Sequence, residues 1–254
     1  MMDKVKAFRA LHVPGNPLIL FNIWDPGSAR AVAEAGAHAL ATGSHGVAEA
    51  SGYLDGEKFP LGSVLENLRR IVSVSELPVT LDLEAGYGSN PDEVGRSVAA
   101  ARDAGAIGIN MEDRLPGEAG VLPVAEASAR IAAAAASGLH VNARTDVYRD
   151  IKPADYAPSL VESAIERSKA YADAGAGSLF VPFLGDHSTI ARICKSSALP
   201  VNIMWAPGRG TRDELAGLGV ARISYGGGPW RAAMDWLTAQ ARVVFSGGTP
   251  PYAG

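Results

Sequence analysis

Eight short apolar, β-prone runs recur along the 254 residues, and stretches with apolar residues at helical spacing separate them. The runs are LILFNIW (18–24), HALATGS (38–44), PVTLDLE (78–84), IGINMED (107–113), HVNARTD (140–146), SLFVPF (178–183), PVNIMW (200–205) and ARISYG (221–226). SVLENLRRIVSV, PDEVGRSVAAARDAG, VESAIERSKAYADAG and TRDELAGLG stand between them, and PWRAAMDWLTAQARVVF follows the last. Strict β-α alternation repeated eight times predicts an α/β fold of the (β/α)8 barrel type, one domain over residues 1–254, with 247–254 as a loose tail.

A weak internal repeat supports that count. VAEAGAHAL, AARDAGAIGI, YADAGAGSLF and ELAGLGVARI each end a helix on Gly and lead straight into a strand. The alternate joints differ, with ELPVTL and ALPVNI entering strands through Leu-Pro-Val and GLHVNA taking a similar course.

Composition narrows the partners. The formal net charge is −4, acids and bases are interspersed, and no Lys/Arg cluster stands out, so a nucleic-acid footprint is not indicated. No segment is long and apolar enough to span a bilayer, and the N-terminus has no apolar signal-peptide core. The single cysteine, Cys194, lies in a predicted helix and allows no intrachain disulfide, which suits a cytoplasmic protein. A small-molecule carboxylate or metal-bound ligand is the expected partner.

In barrel enzymes the chemistry sits at the C-terminal ends of the strands. The residues closing the runs here are polar and acidic on the first five strands, while strand six ends on Pro182 and Phe183 and offers nothing ionisable. Asp82 and Glu84, two residues apart on one strand, should share a face and meet Glu112 from the next strand. Three carboxylates this close cannot all stay ionised without a cation, and hard oxygen ligands suit Mg²⁺ or Mn²⁺, with some contacts made through water. The alternative is a buried salt network in which Arg144 and other bases pair the acids. GSHG (43–46) could offer backbone N–H groups and a hydroxyl to an oxyanion, and YGGGPW (225–230) has the look of a phosphate-cradling turn. None of Lys4, Lys6, Lys58, Lys152, Lys169 and Lys195 lies at a predicted strand end, which disfavours a Schiff-base aldolase.

FNIWDPGSARAVAEAGAHALATGSHGVA, LPVTLDLEAGYG, GAIGINMEDR and NARTD, in this order and spacing, resemble the isocitrate lyase/phosphoenolpyruvate mutase superfamily. The resemblance implies a (β/α)8 barrel whose eighth helix is exchanged between subunits of a homodimer or homotetramer, and a Mg²⁺ site for a 2-oxo acid or enol carboxylate. It implies Asp82, Glu84 and Glu112 as the metal site, with Asp55 near the metal. Arg144 is then the binder of the substrate carboxylate or oxyanion. Gly43, Ser44 and His45 take the other end, Trp24 and Asn202 complete the substrate site, and Arg144, Asp55 and His45 are the candidate catalytic groups.

The chain also departs from that pattern. The lyases carry a Lys-[Lys/Arg]-Cys-Gly-His loop after strand four whose cysteine is catalytic, and the corresponding loop here reads DRLPGEAGVLP. The expectation is therefore a Mg²⁺-dependent enzyme that makes or breaks a C–C or P–C bond through a metal-stabilised enolate. An oxaloacetate-type decarboxylase or hydrolase, or a phosphonopyruvate-type mutase, ranks ahead of an isocitrate- or methylisocitrate-type lyase. A phosphate-binding barrel isomerase or synthase stands as the reading from another class.

Overall fold

A computed structural model describes residues 2–152 and 155–253. The eight runs become eight parallel strands: β1 (Leu18–Leu20), β2 (Leu40–Ala41), β3 (Val79–Asp82), β4 (Gly108–Glu112), β5 (His140–Arg144), β6 (Ser178–Val181), β7 (Val201–Met204) and β8 (Arg222–Ser224). Their order is β1-β8-β7-β6-β5-β4-β3-β2, and a parallel bridge between Ile23 and Thr42 brings the two ends of the sheet together. Ile23 N–H donates to the Ala41 carbonyl at 2.9 Å and Gly43 N–H to the Ile23 carbonyl at 3.1 Å, so the (β/α)8 barrel closes.

Every strand is shorter than the run that announced it. The run's last residues leave the ladder and carry their side chains to the barrel mouth. In 78–84 the pairing stops at Asp82, and Glu84 has φ +51°. Asp82 and Glu84 are thus not neighbours on a strand face, as the two-residue spacing suggested; a left-handed turn brings them to the same place.

Helices α1 (Met2–Ala10), α2 (Pro26–Glu34), α3 (Ser44–Ala50), α4 (Leu61–Val72), α5 (Pro91–Asp103), α6 (Val124–Ala135), α7 (Pro158–Asp173), α8 (His187–Ser196), α9 (Arg212–Gly217) and α10 (Gly228–Phe245) complete the described elements. Asp25, Asn90, Asp186 and Thr211 cap α2, α5, α8 and α9 by accepting a backbone N–H three residues on. Gly36, Gly105, Gly175 and Gly219 all take positive φ, as the repeated helix-Gly-strand joint requires. Gly138, at the joint into β5, does the same with φ +81°, so that joint belongs with these rather than with the Leu-Pro-Val pair.

Helix α1, which the periodicity of the chain does not announce, seals the lower end of the barrel. Its Val5 and Phe8 pack with Leu18, Leu20, Ala39, Ala41 and Ile107. Just beyond it, His12 stacks on His140 with ring centroids 4.4 Å apart. A polar chain then crosses the barrel interior. His140 Nε2 meets Ser178 Oγ at 2.9 Å, Ser178 Oγ donates to Asn142 Oδ1 at 2.6 Å, and Asn142 Nδ2 donates to Asn110 Oδ1 at 2.7 Å. Arg222 Nη2 donates to the same Asn110 oxygen at 3.0 Å, and full burial pulls this guanidinium down to about 9.

Helix α10 packs differently from the others. Of its eighteen residues only Pro229 is buried, and Trp236, Leu237, Val244 and Phe245 are exposed. On the outer wall a groove of about 760 Å³ runs over β1 and α2, lined by Leu18, Ile19, Phe21, Ala31, Val32 and Ala35. Within the C-terminal segment Pro251–Ala253 form a 3-10 turn, with the Tyr252 ring 5.9 Å from Trp236; Gly254 lies outside the described residues. No described helix is long and apolar enough to cross a membrane.

Candidate active site

A cavity of about 460 Å³ opens at the C-terminal ends of the strands. Gly43, Ser44, His45, Asp55, Asp82, Glu84, Glu112 and Arg144, drawn from four strand ends and the loop after α3, all line it. Trp24 and Asn202 do not. The Trp24 N–H is taken by Ser28 Oγ at 3.0 Å as the chain turns into α2, while its carbonyl accepts from Asn67. Asn202 lies two residues before the cavity-lining Met204 on β7, hence one layer deeper, where it donates to Ser224 Oγ at 3.1 Å.

Each acid is held in its own way. The Asp82 carboxylate accepts the Ser44 N–H at 3.0 Å. Glu84 accepts the N–H groups of Gly56 at 2.8 Å and Glu57 at 2.7 Å through Oε2, and the Tyr87 hydroxyl at 3.1 Å through Oε1. Glu57 in turn accepts the Tyr87 N–H at 2.8 Å. Among the described residues, Glu57, Glu84 and Tyr87 are the non-glycine residues with positive φ, at +58°, +51° and +49°. Such a backbone costs about 1–3 kcal/mol per residue, and here the three interlock around one carboxylate.

Glu112 pairs with Arg144 Nη1 at 2.7 Å. Asp146 holds the same guanidinium bidentately, through Nε at 2.6 Å and Nη2 at 2.8 Å, and also takes Arg149 Nη1 at 2.9 Å. The second acid of the Glu-Asp pair, Asp113, faces away from the cavity. Arg167 at 3.0 Å, the Tyr171 hydroxyl at 2.7 Å and the Asp146 N–H at 2.9 Å all bond to it, so it braces the loops behind the site.

Electrostatics tie the acids together. Burial, then the charges of Asp82 and Asp55, push Glu84 up to about 7. Asp82 is raised by burial against the pull of Arg144, and Glu112 is raised by burial in the same way. Arg144 is held in its charged form by Glu112 and Asp146 despite burial. With Arg144 already engaged by two carboxylates, Asp82 and Glu84 lack a cation of their own. Among the described residues no three of His, Cys, Asp and Glu stand close enough to ligate one ion directly. Glu84 is tethered by backbone donors and Glu112 by Arg144, which leaves Asp82 as the acid placed for a direct contact. This donor set fits a small, hard dication that keeps several waters.

The YGGGPW turn is less open than it looked. Asn22 Oδ1 accepts both the Tyr225 and Gly226 N–H groups at 2.8 Å, Gly228 N–H is bonded to the Tyr225 carbonyl at 3.1 Å, and Pro229 has none. Three of the turn's N–H donors are thus engaged, which leaves it a narrower phosphate cradle than its glycines suggest. Asn22 and Phe183, which stand near the ends of their runs, also line the cavity, as do Asn110, Arg114, Arg149 and Arg231, which nothing local in the sequence marks as neighbours.

The phosphoenolpyruvate phosphomutase family matches residues 8–245. This chain belongs to the phosphoenolpyruvate mutase/isocitrate lyase superfamily. It is 32% identical to the 2-methylisocitrate lyase of Salmonella typhimurium over 87% of this chain and 77% of that protein. A phosphonomutase candidate from Burkholderia cenocepacia superposes with a TM-score of 0.91 at 47% identity, covering 94% of this chain and 99% of that one. A phosphonopyruvate hydrolase solved with oxalate and Mg²⁺ superposes with a TM-score of 0.83 at 25% identity, over 96% of this chain and 88% of that one. The chain is thus an enzyme of the lyase, mutase and hydrolase group that acts on C–C or P–C bonds.

Proposed function

We propose that the protein is a Mg²⁺- or Mn²⁺-dependent enzyme acting on a 2-oxo or 2-hydroxy carboxylic acid. The observation that carries this is the pairing of a carboxylate group short of cations, Asp82, Glu84 and Asp55, with an oriented guanidinium, Arg144, in one cavity. Asp82 would hold the metal directly, with Glu84 and Glu112 contacting its waters. The ion, when bound, supplies positive charge beside the substrate's carboxylate and 2-oxo oxygens. Arg144 has further N–H groups beyond those given to Glu112 and Asp146, and these would fork onto a substrate oxygen. Ser44 Oγ and His45 would take the other end of the substrate, since the Gly43 and Ser44 N–H groups are already bonded.

Proton delivery separates the possible reactions. The loop after β4 places Arg114, Leu115, Pro116 and Gly117 at the cavity, with no thiol. Cys194 lies on α8 outside the lining, and burial pushes its thiol up to about 12. Decarboxylation or hydrolytic cleavage of an oxaloacetate-like acid, or phosphonopyruvate-type chemistry, needs no such donor; His45 or water can supply the proton. These reactions are favoured over isocitrate- or methylisocitrate-type cleavage.

The assembly we infer is a homodimer or homotetramer, built by exchange of α10. The helix exposes an apolar face on its own barrel, and the groove over β1 and α2 has no helix against it. A reducing cytoplasm suits a chain with one cysteine.

A screen of purified protein with Mg²⁺ against oxaloacetate, phosphonopyruvate, isocitrate and 2-methylisocitrate tests the reading. Turnover of one of the first two that stops in EDTA is expected. Full turnover in EDTA would return the acids to a structural salt network, and glyoxylate or pyruvate release from the last two would show that the loop cysteine is dispensable.

A further inference from the structure

Four arginines line the cavity, and three have carboxylate partners. Arg144 has Glu112 and Asp146, Arg149 has Asp146, and Arg114 has Asp150. Arg231, in the first turns of α10, is paired with no acid among the described residues; Asp235, one turn further on, makes no ion pair with it. Beside it stands His45, whose Nε2 is buried without a hydrogen-bond partner. Gly227 brings the two side chains together. A Cβ there would lie 2.5 Å from His45 Cδ2 and 2.7 Å from Arg231 Nη1, so only glycine leaves room for both against the turn. The edge of the His45 ring also packs against Trp230, with centroids 5.6 Å apart, which fixes the imidazole plane.

Resting on the reading above, we propose that Arg231 and His45 form a second anion subsite that selects substrates carrying a carboxylate or phosphonate distal to the 2-oxo end. The pair lies on the β2 and β8 side of the mouth, while Glu112 and Arg144 close β4 and β5 on the other side. A small acid held by Asp82 and Arg144 at one end therefore points its far end at Arg231. The guanidinium supplies a planar fork and the imidazole a single N–H when Nε2 carries the hydrogen, a donor set that suits a carboxylate or a phosphonate. No catalytic step is assigned to Arg231. It is a specificity-determining residue.

Three 2-hydroxy acids that cannot decarboxylate as 2-oxo acids do serve as probes: lactate, malate and 3-phosphonolactate, titrated by calorimetry in the presence of Mg²⁺, with oxalate as the probe of the proximal end. Arg231→Met should leave oxalate and lactate affinity within about two-fold and weaken malate or 3-phosphonolactate by about 10-fold or more, as loss of a charge-assisted hydrogen bond does. The probe that loses more identifies the distal anion. Gly227 sits at φ −77°, where alanine is unstrained, so Gly227→Ala should fold and show the same selective loss by displacing the pair. An unchanged malate-to-lactate ratio in Arg231→Met, or equal loss for lactate and the dianions, overturns the subsite; an unchanged ratio in Gly227→Ala overturns the pairing with His45. Failure of the wild-type protein to bind even oxalate with Mg²⁺ overturns the parent reading, and the subsite with it.

Discussion

Asp82 and Arg144 do different work in the proposed site, and substitution separates them. Asp82 has one backbone donor, from Ser44, and an otherwise open carboxylate, so Asp82→Ala should lower kcat/KM by about 10²-fold or more and abolish Mg²⁺ binding by calorimetry. Arg144 is locked by Asp146 and Glu112 through three N–H groups, a geometry that an ammonium cannot copy. Arg144→Lys should therefore cost about 10- to 100-fold in kcat/KM while Mg²⁺ still binds. If both variants lose metal equally, Arg144 is holding the acids in place rather than binding substrate. Asp82, Glu84, Glu112 and Arg144 were legible in sequence because strand ends face the mouth of such a barrel. Asp82 and Glu84 meet for another reason than their two-residue spacing: the left-handed backbone at Glu84, held by Gly56, Glu57 and Tyr87, joins them.

Helix α10 is the element least buried against its own barrel. Seven crossovers lay helices along the wall, whereas α10 buries only Pro229 and the groove over β1 and α2 stays open to solvent. Trp236, Leu237, Val244 and Phe245 expose more apolar surface than a solvated helix needs. Deleting residues 232–254, which spares Arg231, should yield aggregated or partly unfolded protein, and the intact chain should sediment as a dimer or tetramer. A soluble, monomeric and fully active truncation would overturn helix exchange. Helix α1, by contrast, escaped the sequence reading because only Val5 and Phe8 mark its buried face across nine mostly charged and small residues.

Across the whole molecule, two buried titrations act on stability in opposite directions. Burial lowers His12 from its ordinary 6.5 to about 3 and His140 well below 6.5. The unfolded chain then binds protons that the native one refuses, so this contribution is complete above pH 6.5 and is lost as pH falls. The slope is about 1.4 kcal/mol per pH unit for each histidine. Glu84 is raised to about 7, so in metal-free protein the native state holds a proton that the unfolded chain has released, and stability falls as pH rises from about 4.5 to 7. A bound dication keeps Glu84 ionised and removes that opposing slope. Urea denaturation should accordingly show stability climbing from pH 5 to 6.5 with saturating Mg²⁺, and a flatter profile in EDTA. Identical profiles in the two conditions would show that Mg²⁺ does not act on these acids.

The eight parallel strands, the glycine-ended joints and the acids and arginine at the strand ends can all be read along the chain. Each of these is written in local periodicity and in which residue closes a run. Long-range packing, invisible to local pattern, sets Asn22 on the Tyr225 and Gly226 N–H groups, turns Asp113 away to Arg167 and Tyr171, and brings Arg231 to His45 over Gly227. Asn22 and Tyr225 are 203 residues apart in the chain, and Asp113 and Tyr171 are 58 apart. Spacing fixes which face of its own element a side chain takes; closure of the barrel fixes which distant side chain it meets there.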